Sequence, residues 1–391
     1  MISSEEYRYL LTVDAIRDRA NQVFQLALAN KTHFDVHLDK LDAVAELTLK
    51  IMKENYPDDR IPLHSRWRHF VVKGSDRAQF LATLPAEQRV KAALDLAMVS
   101  VLLDAGAGAD WVYRDQQGHT LTRSEGLAIA SLELFAAGLF SADKNQPWRV
   151  DGEILKRFTL EKLISGLQVN ANNPLIGLEG RCRLLQHFGR LLIENRRLFP
   201  DGRPGSLYDY LKRTFADTLT AGELVNLLLS ELSPIWGRVV DNYPLGDVWR
   251  YSPVGWIPFH KLTLWLTLSL IEPLQAAGLR IRNLEQLPGL AEYRNGGLFM
   301  DGGVLTVRDR ALLAVVHRPS DPLIVEWRAL TIVLLENLAA LIRQKKAMDS
   351  STLPLVTILQ GGTGQAGRQL ALQRSPAGDP PLRYLSSGTI F

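Results

Sequence analysis

Eight segments of the chain repeat apolar residues at the three- and four-residue spacing of an α-helix, and this pattern constrains the fold more than any other feature. The segments cover residues 38–56, 87–106, 123–140, 151–167, 181–199, 221–236, 259–278 and 326–348. Strand signals are few: the run 68–73, an expected hairpin over 297–307 with its turn at 301–303, and the run 355–359. The sequence therefore predicts a mainly α fold, a helical body with a few short strands.

Length and composition allow a large buried core. The 391 residues are 46% hydrophobic, and the proline- and glycine-rich segment 200–210 is the best candidate for a boundary. We expect an N-terminal helical half at 1–199 and a C-terminal half at 200–391 that carries the catalytic residues; one continuous body is the alternative. The sequence does not determine the oligomeric state.

Charge and cysteine content narrow the class of protein. A net charge of +3 implies no bulk attraction to nucleic acid or to an anionic membrane, and no apolar segment is long enough to cross a bilayer. A single cysteine, Cys182, excludes an internal disulfide, and the first residues lack a signal-peptide pattern. We expect a cytoplasmic protein whose partner is a small molecule, with no nucleic acid and no membrane.

A dinucleotide-type glycine motif lies near the C-terminus. Gly362, Gly364 and Gly367 have the G-x-G-x-x-G spacing and follow a strand-like run. Such a site needs a second parallel strand that carries an acidic residue about 20 residues further on. Only 24 residues follow Gly367, and three of them are prolines. We therefore predict no nicotinamide cofactor, and no other cofactor, and interpret the glycines as a turn that leads into a short terminal helix.

A dense polar cluster occurs at residues 61–72. His64, Arg66, Arg68 and His69 surround Trp67 and supply donors suited to a phosphate group. The alternative interpretation is a solvated loop anchored by the tryptophan.

A second set of polar residues lies in apolar surroundings. His260 and Lys261 begin a helix that is otherwise almost wholly apolar, Glu292 and Arg294 flank a tyrosine, and Glu326 lies at the start of the last long helix. Each alone fits a helix-end charge or a surface ion pair. Together they predict a site of one lysine and two carboxylates. The eight histidines show no metal-ligand spacing, so no metal site is expected.

Longer stretches carry a resemblance to a known family. The chain contains HSRWRHF, DLAMVSVLLDAGAGADWVYRD, TRSEGLAIASLELF, DGRPGSLYDYL, LGDVW and the ending SSGTIF. In this order they resemble the uracil-catabolism protein four family, which belongs to a pyrimidine ring-opening pathway. The C-terminal part, with FHKLTLWLTLSLIEPLQ, LAEYRNGG and IVEWRA, is remotely similar to the queuosine 5′-phosphate N-glycosidase family, whose helical fold is related to DNA glycosylases. Lys261 and Glu292, which are 31 positions apart, match that family's catalytic lysine and aspartate, with glutamate replacing aspartate.

Both resemblances together imply an enzyme. We expect an N-glycosidase-like hydrolase that acts on ribosylurea 5′-phosphate or a related nucleotide and releases urea or the base. Glu292 would stabilise positive charge on the ribose, act as a nucleophile or activate water. Lys261 would hold Glu292 ionised and contact a ribose hydroxyl, and Asp247 would handle the leaving nitrogen or a ribose hydroxyl. The arginines and histidines at positions 64–69 would bind the phosphate, with Arg368 of the glycine segment near the phosphate side of the pocket. The alternatives are a uracil phosphoribosyltransferase-like enzyme and a non-catalytic nucleotide-binding protein.

Overall fold

Helices dominate the computed structural model, which describes residues 1–108 and 110–385. The α-helices in these residues are α1 Ser4–Leu10, α2 Val13–Leu28, α3 Leu41–Asn55, α4 Ala86–Leu102, α5 Arg123–Ala136, α6 Gly152–Lys156, α7 Leu160–Gly166, α8 Leu178–Glu194, α9 Leu207–Phe215, α10 Ala221–Leu232, α11 Lys261–Ala276, α12 Tyr293–Asp301, α13 Pro322–Lys346, α14 Leu355–Ile358 and α15 Gly364–Arg374. The mainly α prediction is confirmed. Each of the eight periodic segments overlaps one of these helices, except 151–167, which forms the two short helices α6 and α7.

The strands of the described residues are short and pair in twos. They are β1 Phe34–Val36, β2 Val71–Val72, β3 Ser75–Asp76, β4 Val112–Arg114, β5 Thr120–Thr122, β6 Thr218–Thr220, β7 Val239–Val240, β8 Tyr243–Pro244, β9 Val248–Tyr251, β10 Gly255–Pro258, β11 Arg280–Arg282, β12 Leu305–Val307, β13 Val316–His317 and β14 Arg383–Tyr384. Four pairs are local hairpins, whereas β1–β12, β6–β11 and β13–β14 join distant parts of the chain. The strands therefore fasten loops to the helical body and do not build a central sheet.

The core runs through both halves of the chain. Helix α2 packs against α13 and α4 packs against α11, so early and late helices share one large hydrophobic cluster. The segment 200–210 is also packed: a methyl group at Gly205 would lie 2.5 Å from the carbonyl oxygen of Lys91 on α4. Arg203 forms a buried ion pair with Asp95 of α4, with 2.6 Å between Nε and Oδ2. A division at residues 199 and 200 stays a prediction, as does the relation to DNA glycosylases.

The expected hairpin over residues 297–307 is wrong. Residues up to Asp301 continue helix α12, Gly303 turns the chain with φ of +74°, and β12 pairs with β1 about 270 residues earlier. The aspartate and glycines resemble a hairpin turn but here end a helix, and the strand's partner is distant in sequence.

The glycine motif is helical, and the strand-like run before it is helix α14. A π turn at Leu359–Thr363 joins α14 to α15, and none of Gly361, Gly362, Gly364 and Gly367 has a positive φ. A methyl group at Gly362 would lie 2.8 Å from the carbonyl oxygen of Thr48, and one at Gly367 would lie 2.6 Å from that of Arg294. These glycines let the C-terminal helix lie directly on α3 and α12, so the expected turn is replaced by close helix packing. No helix in the described residues is long and apolar enough to cross a membrane.

Candidate functional site

A large cavity is lined by segments from the N-terminal and the C-terminal parts of the sequence. Its volume is about 1310 Å³. The lining comes from the segments 55–69, 104–108, 123–127, 261–265, 292–294, 359–368 and 374–384, together with Ile176, Leu313 and Val316. Six of the predicted site residues therefore line this one cavity: His64, Arg68, His69, Lys261, Glu292 and Arg294. Residues 66–70 pack against α11, and α12 packs against α15, so residues more than 200 positions apart in the sequence line the same cavity.

Trp265 supports one wall of the cavity. Its indole Nε1 donates to Oδ2 of Asp104 at 2.9 Å, which fixes the ring. The imidazoles of His64 and His69 lie against this ring, with centroids 4.6 Å and 5.8 Å away. Trp265 lies four residues after Lys261, so one face of α11 presents an ammonium group and an aromatic surface to the same cavity.

The hydrogen bonds of His64 select one tautomer. Gln360, in the π turn, donates from Nε2 to the hydroxyl of Tyr56 at 3.0 Å, which leaves Oε1 as the acceptor facing His64. Nδ1 of His64 lies 3.1 Å from that oxygen and must carry the proton. Burial lowers the pKa of His64, so the ring is neutral near pH 7, and its Nε2 keeps a lone pair.

His69 has the opposite tautomer. Its Nδ1 lies 3.2 Å from Nη1 of Arg66, which can only donate, so this nitrogen accepts and Nε2 carries the proton. Burial, followed by the charge of Arg66, lowers the pKa of His69 to about 3. The cavity wall therefore combines one imidazole that can accept a hydrogen bond with one that can donate.

Glu292 and Lys261 bring opposite charges to the cavity without pairing. Glu292 is the N-cap residue of α12, but its side chain caps no backbone N–H group. Lys261 begins α11 after His260, whose φ of +46° is unusual for a residue with a side chain. Neither charged group forms a hydrogen bond or an ion pair with any residue that the structure describes. Both charges act on His64, where the Glu292 charge raises the pKa and the Lys261 charge lowers it.

Asp247 lies outside the cavity lining, and protein groups occupy both of its oxygens. Arg328 donates to both at 2.7 Å, Trp249 donates to Oδ1 at 2.8 Å, and the backbone N–H of Lys261 donates to Oδ2 at 3.1 Å. Its expected contact with the substrate does not fit this geometry. The carboxylate instead anchors the first turn of α11, which carries Lys261.

Four predicted binding residues also lie outside the lining. Arg66 is fully buried, with its Nη1 2.6 Å from Oδ1 of Asp104, and burial lowers its pKa. Trp67 donates from Nε1 to the backbone of α11. His260 contacts the carbonyl oxygen of Leu10, and Glu326 accepts from the hydroxyl of Tyr251 and from the backbone N–H of His33. We interpret these side chains as structural supports, because each lies outside the cavity lining and makes its hydrogen bonds or ion pair with a protein partner.

Several lining residues were not predicted as site residues. Trp265, Gln360 and Tyr384 are the main examples. The tryptophan could have been found from its helical spacing to Lys261. Gln360 carries no local signal, since its role depends on the contact with His64. In the described part of the chain, no three His, Cys, Asp or Glu side chains are grouped so as to hold a metal ion.

Comparison with known proteins identifies the family. The family model described as "Protein of unknown function (DUF1688)" matches residues 9–391. The chain belongs to this family. It is 39% identical over 412 residues to "Protein urg3" of Schizosaccharomyces pombe, covering 100% of both chains. It is 36% identical over 434 residues to "Uracil catabolism protein 4" of Lachancea kluyveri, covering 98% of both. The expected resemblance to the uracil-catabolism family is confirmed; the similarity to the queuosine 5′-phosphate N-glycosidases stays a prediction.

Proposed function

We propose that this protein acts in uracil degradation as an N-glycosidase-like hydrolase of ribosylurea 5′-phosphate or a related nucleotide. One observation carries the proposal: the Glu292 carboxylate, without a protein partner in the described residues, shares a cavity with the equally unpaired ammonium of Lys261. The name of the 36% identical relative, which refers to uracil catabolism, supports the pathway. Charged groups held apart without partners are typical of sites that complete their interactions with a ligand.

The proposed reaction requires Glu292 to stabilise a positive charge and to accept a proton. The bond between C1′ of the ribose and the urea nitrogen breaks with its electron pair leaving on nitrogen, and the oxygen of water forms the new bond to C1′. Positive charge develops on C1′ and O4′ in between, and a carboxylate beside the sugar stabilises it. In the proposed mechanism Glu292 also takes the proton that the water loses. Lys261 supplies the proton that the departing nitrogen gains.

The two histidines favour a urea-like leaving group. Urea carries N–H groups that donate and a carbonyl oxygen that accepts. The unprotonated Nε2 of His64 suits the donor, and the protonated Nε2 of His69 suits the acceptor. Both rings are neutral near pH 7 and are supported by Trp265, so they recognise a neutral planar group without adding charge beside it.

The geometry of the glycine motif weakens the transferase alternative. A phosphoribosyltransferase binds diphosphate with a loop of free backbone N–H groups, whereas residues 359–374 form a π turn and a helix with their N–H groups directed along the axis. Hydrolysis by water fits the site better than transfer from a diphosphate-bearing sugar.

The test is a direct assay of product formation. Purified protein is incubated with ribosylurea 5′-phosphate, and urea and ribose 5-phosphate are measured by mass spectrometry. We expect release by the natural protein and a loss of about 100-fold or more in Glu292→Gln, the usual range for a general base. Glu179→Gln is the matched control, because Glu179 is an exposed glutamate at the start of another helix, α8, outside the cavity lining.

Three outcomes would contradict the proposal. Binding of the substrate without any release would favour a non-catalytic nucleotide-binding protein. Release only after addition of diphosphate would favour a transferase. Equal activity in Glu292→Gln and Glu179→Gln would remove Glu292 from the mechanism.

A further inference from the structure

The cavity has an excess of unpaired positive charge. Arg68 pairs with Glu272, Arg374 pairs with Asp301, and Asp104 pairs with Arg66, so these groups are balanced locally. The remaining charged lining residues that the structure describes are five cations, Arg123, Lys261, Arg294, Arg368 and Arg383, and three carboxylates, Glu125, Glu292 and Asp379. Five minus three leaves a net charge of +2, which matches the charge of about −2 on a phosphate monoester near pH 7.

Two of these cations are brought together by the glycine-rich helix. A methyl group at Gly367 would lie 2.6 Å from the backbone oxygen of Arg294 and 3.4 Å from its Cδ, so α15 lies directly on the arginine at the start of α12. Arg368 follows Gly367 and lines the same cavity. Its guanidinium has no hydrogen bond or ion pair with the described residues, and Arg294 uses only Nη1, at 3.3 Å from the carbonyl oxygen of Gly378.

We propose that Arg294 and Arg368 form the anion subsite that binds the phosphate of a sugar-phosphate ligand. This inference rests on the proposed function and moves the phosphate from the expected cluster at positions 64–69 to Arg294 and Arg368. Arg66 is buried against Asp104 and Arg68 is paired with Glu272, so a carboxylate already balances the charge of each. Two guanidinium groups on adjacent helices match the geometry of a phosphate, which accepts from planar N–H pairs.

The subsite gives the ligand one orientation. Glu292 precedes Arg294 by two residues, so the carboxylate and the phosphate subsite lie at the start of the same helix. The neutral histidines on Trp265 form a different part of the wall. A ribose with its phosphate at Arg294 and Arg368 would therefore extend past Glu292 and direct its C1′ substituent to the histidines.

Calorimetric titration with ribose 5-phosphate and with ribose tests the subsite. We expect the natural protein to bind ribose 5-phosphate more tightly than ribose. Arg368→Gln and Arg294→Gln should each weaken ribose 5-phosphate about tenfold or more, the effect of losing one charge-assisted contact, and leave ribose unaffected. Arg190→Gln, an exposed arginine of α8 outside the cavity lining, is the matched control. Arg368 is exposed to the cavity, so its replacement should leave the thermal unfolding midpoint unchanged.

The outcomes separate this inference from the proposed function. Equal affinity of Arg368→Gln and Arg190→Gln for ribose 5-phosphate, or no preference of the natural protein for the phosphate, would overturn the subsite even if ribosylurea 5′-phosphate were hydrolysed. Conversely, an arginine-dependent preference without hydrolysis would support the subsite and contradict the glycosidase.

Discussion

Two alanine substitutions in the glycine motif distinguish helix packing from nucleotide binding. Gly364 has helical backbone angles, φ of −63° and ψ of −41°, and an added methyl group would meet no atom within 4 Å. Alanine is favoured over glycine in a helix by about 1 kcal/mol, so Gly364→Ala should raise the free energy of unfolding by up to that amount. At Gly367 the methyl group would lie 2.6 Å from a backbone oxygen that cannot rotate away.

In Gly367→Ala, the destabilisation from overpacking should exceed the stabilisation from the higher helix propensity of alanine. Overpacking costs about 1–3 kcal/mol, and contact with backbone favours the upper end, so Gly367→Ala should lower the free energy of unfolding by about 2 kcal/mol after the gain in helix propensity. The two variants should thus differ by about 3 kcal/mol in urea denaturation followed by circular dichroism.

If the glycine motif were a nucleotide-binding loop, the stabilities of the Gly364→Ala and Gly367→Ala variants would follow a different order. There the second glycine, Gly364, allows the backbone to approach a pyrophosphate, and NAD would stabilise the protein. If Gly364→Ala destabilised the protein as much as Gly367→Ala, or if NAD raised the melting temperature, the packing interpretation would be refuted.

Two further predictions concern the buried polar groups behind the cavity. The pKa of His69 in the folded protein, about 3, lies below its ordinary value of 6.5, so the unfolded chain binds more protons between these pH values and stability falls as the pH decreases from 6.5. The His69→Gln variant should lose less stability over this window, by up to about 1.4 kcal/mol per pH unit. An unchanged slope of unfolding free energy against pH in this variant would contradict the prediction. Arg66→Gln leaves Asp104 buried without its cation and should cost about 3–5 kcal/mol in urea denaturation. Arg68→Gln, which breaks a partly exposed pair, should cost at most about 1 kcal/mol, and similar losses in the two variants would argue against a buried ion pair.

The helices could be predicted because their signal is local. An apolar stripe at helical spacing is visible in residues 38–56 or 181–199 without knowledge of any neighbour. The errors occurred where the signal is short. Residues 355–359 are apolar and partly β-branched, as a strand would be, but their buried surroundings support a helix. Strand β12 depends on a partner in β1 that no local pattern reveals.

The lining of the cavity could be predicted only in part, for a related reason. Lys261 and Glu292 stood out because each is a charge in apolar surroundings, and both line the cavity. The same reasoning selected Arg66 and Asp247, which are charges that the fold neutralises internally. The sequence shows which residues are chemically unusual. Whether their charges are paired depends on contacts between residues that are 38 positions apart for Arg66 and Asp104 and 81 positions apart for Asp247 and Arg328.

The π turn at Leu359–Thr363 sets how helix α15 is rotated about its own axis relative to α14. Such a turn holds one residue more than an α-helical turn, and each residue rotates the chain by about 100° around the helix axis. With the extra residue, Gln360 meets His64, Gly362 meets α3, and Gly367 meets α12. Loss of a single residue here would leave a longer regular helix whose later side chains were rotated by about a quarter turn, and the glycines would no longer meet their partners. The length of this one turn thus sets the direction in which Arg368 leaves the helix, relative to the cavity wall that carries Gln360.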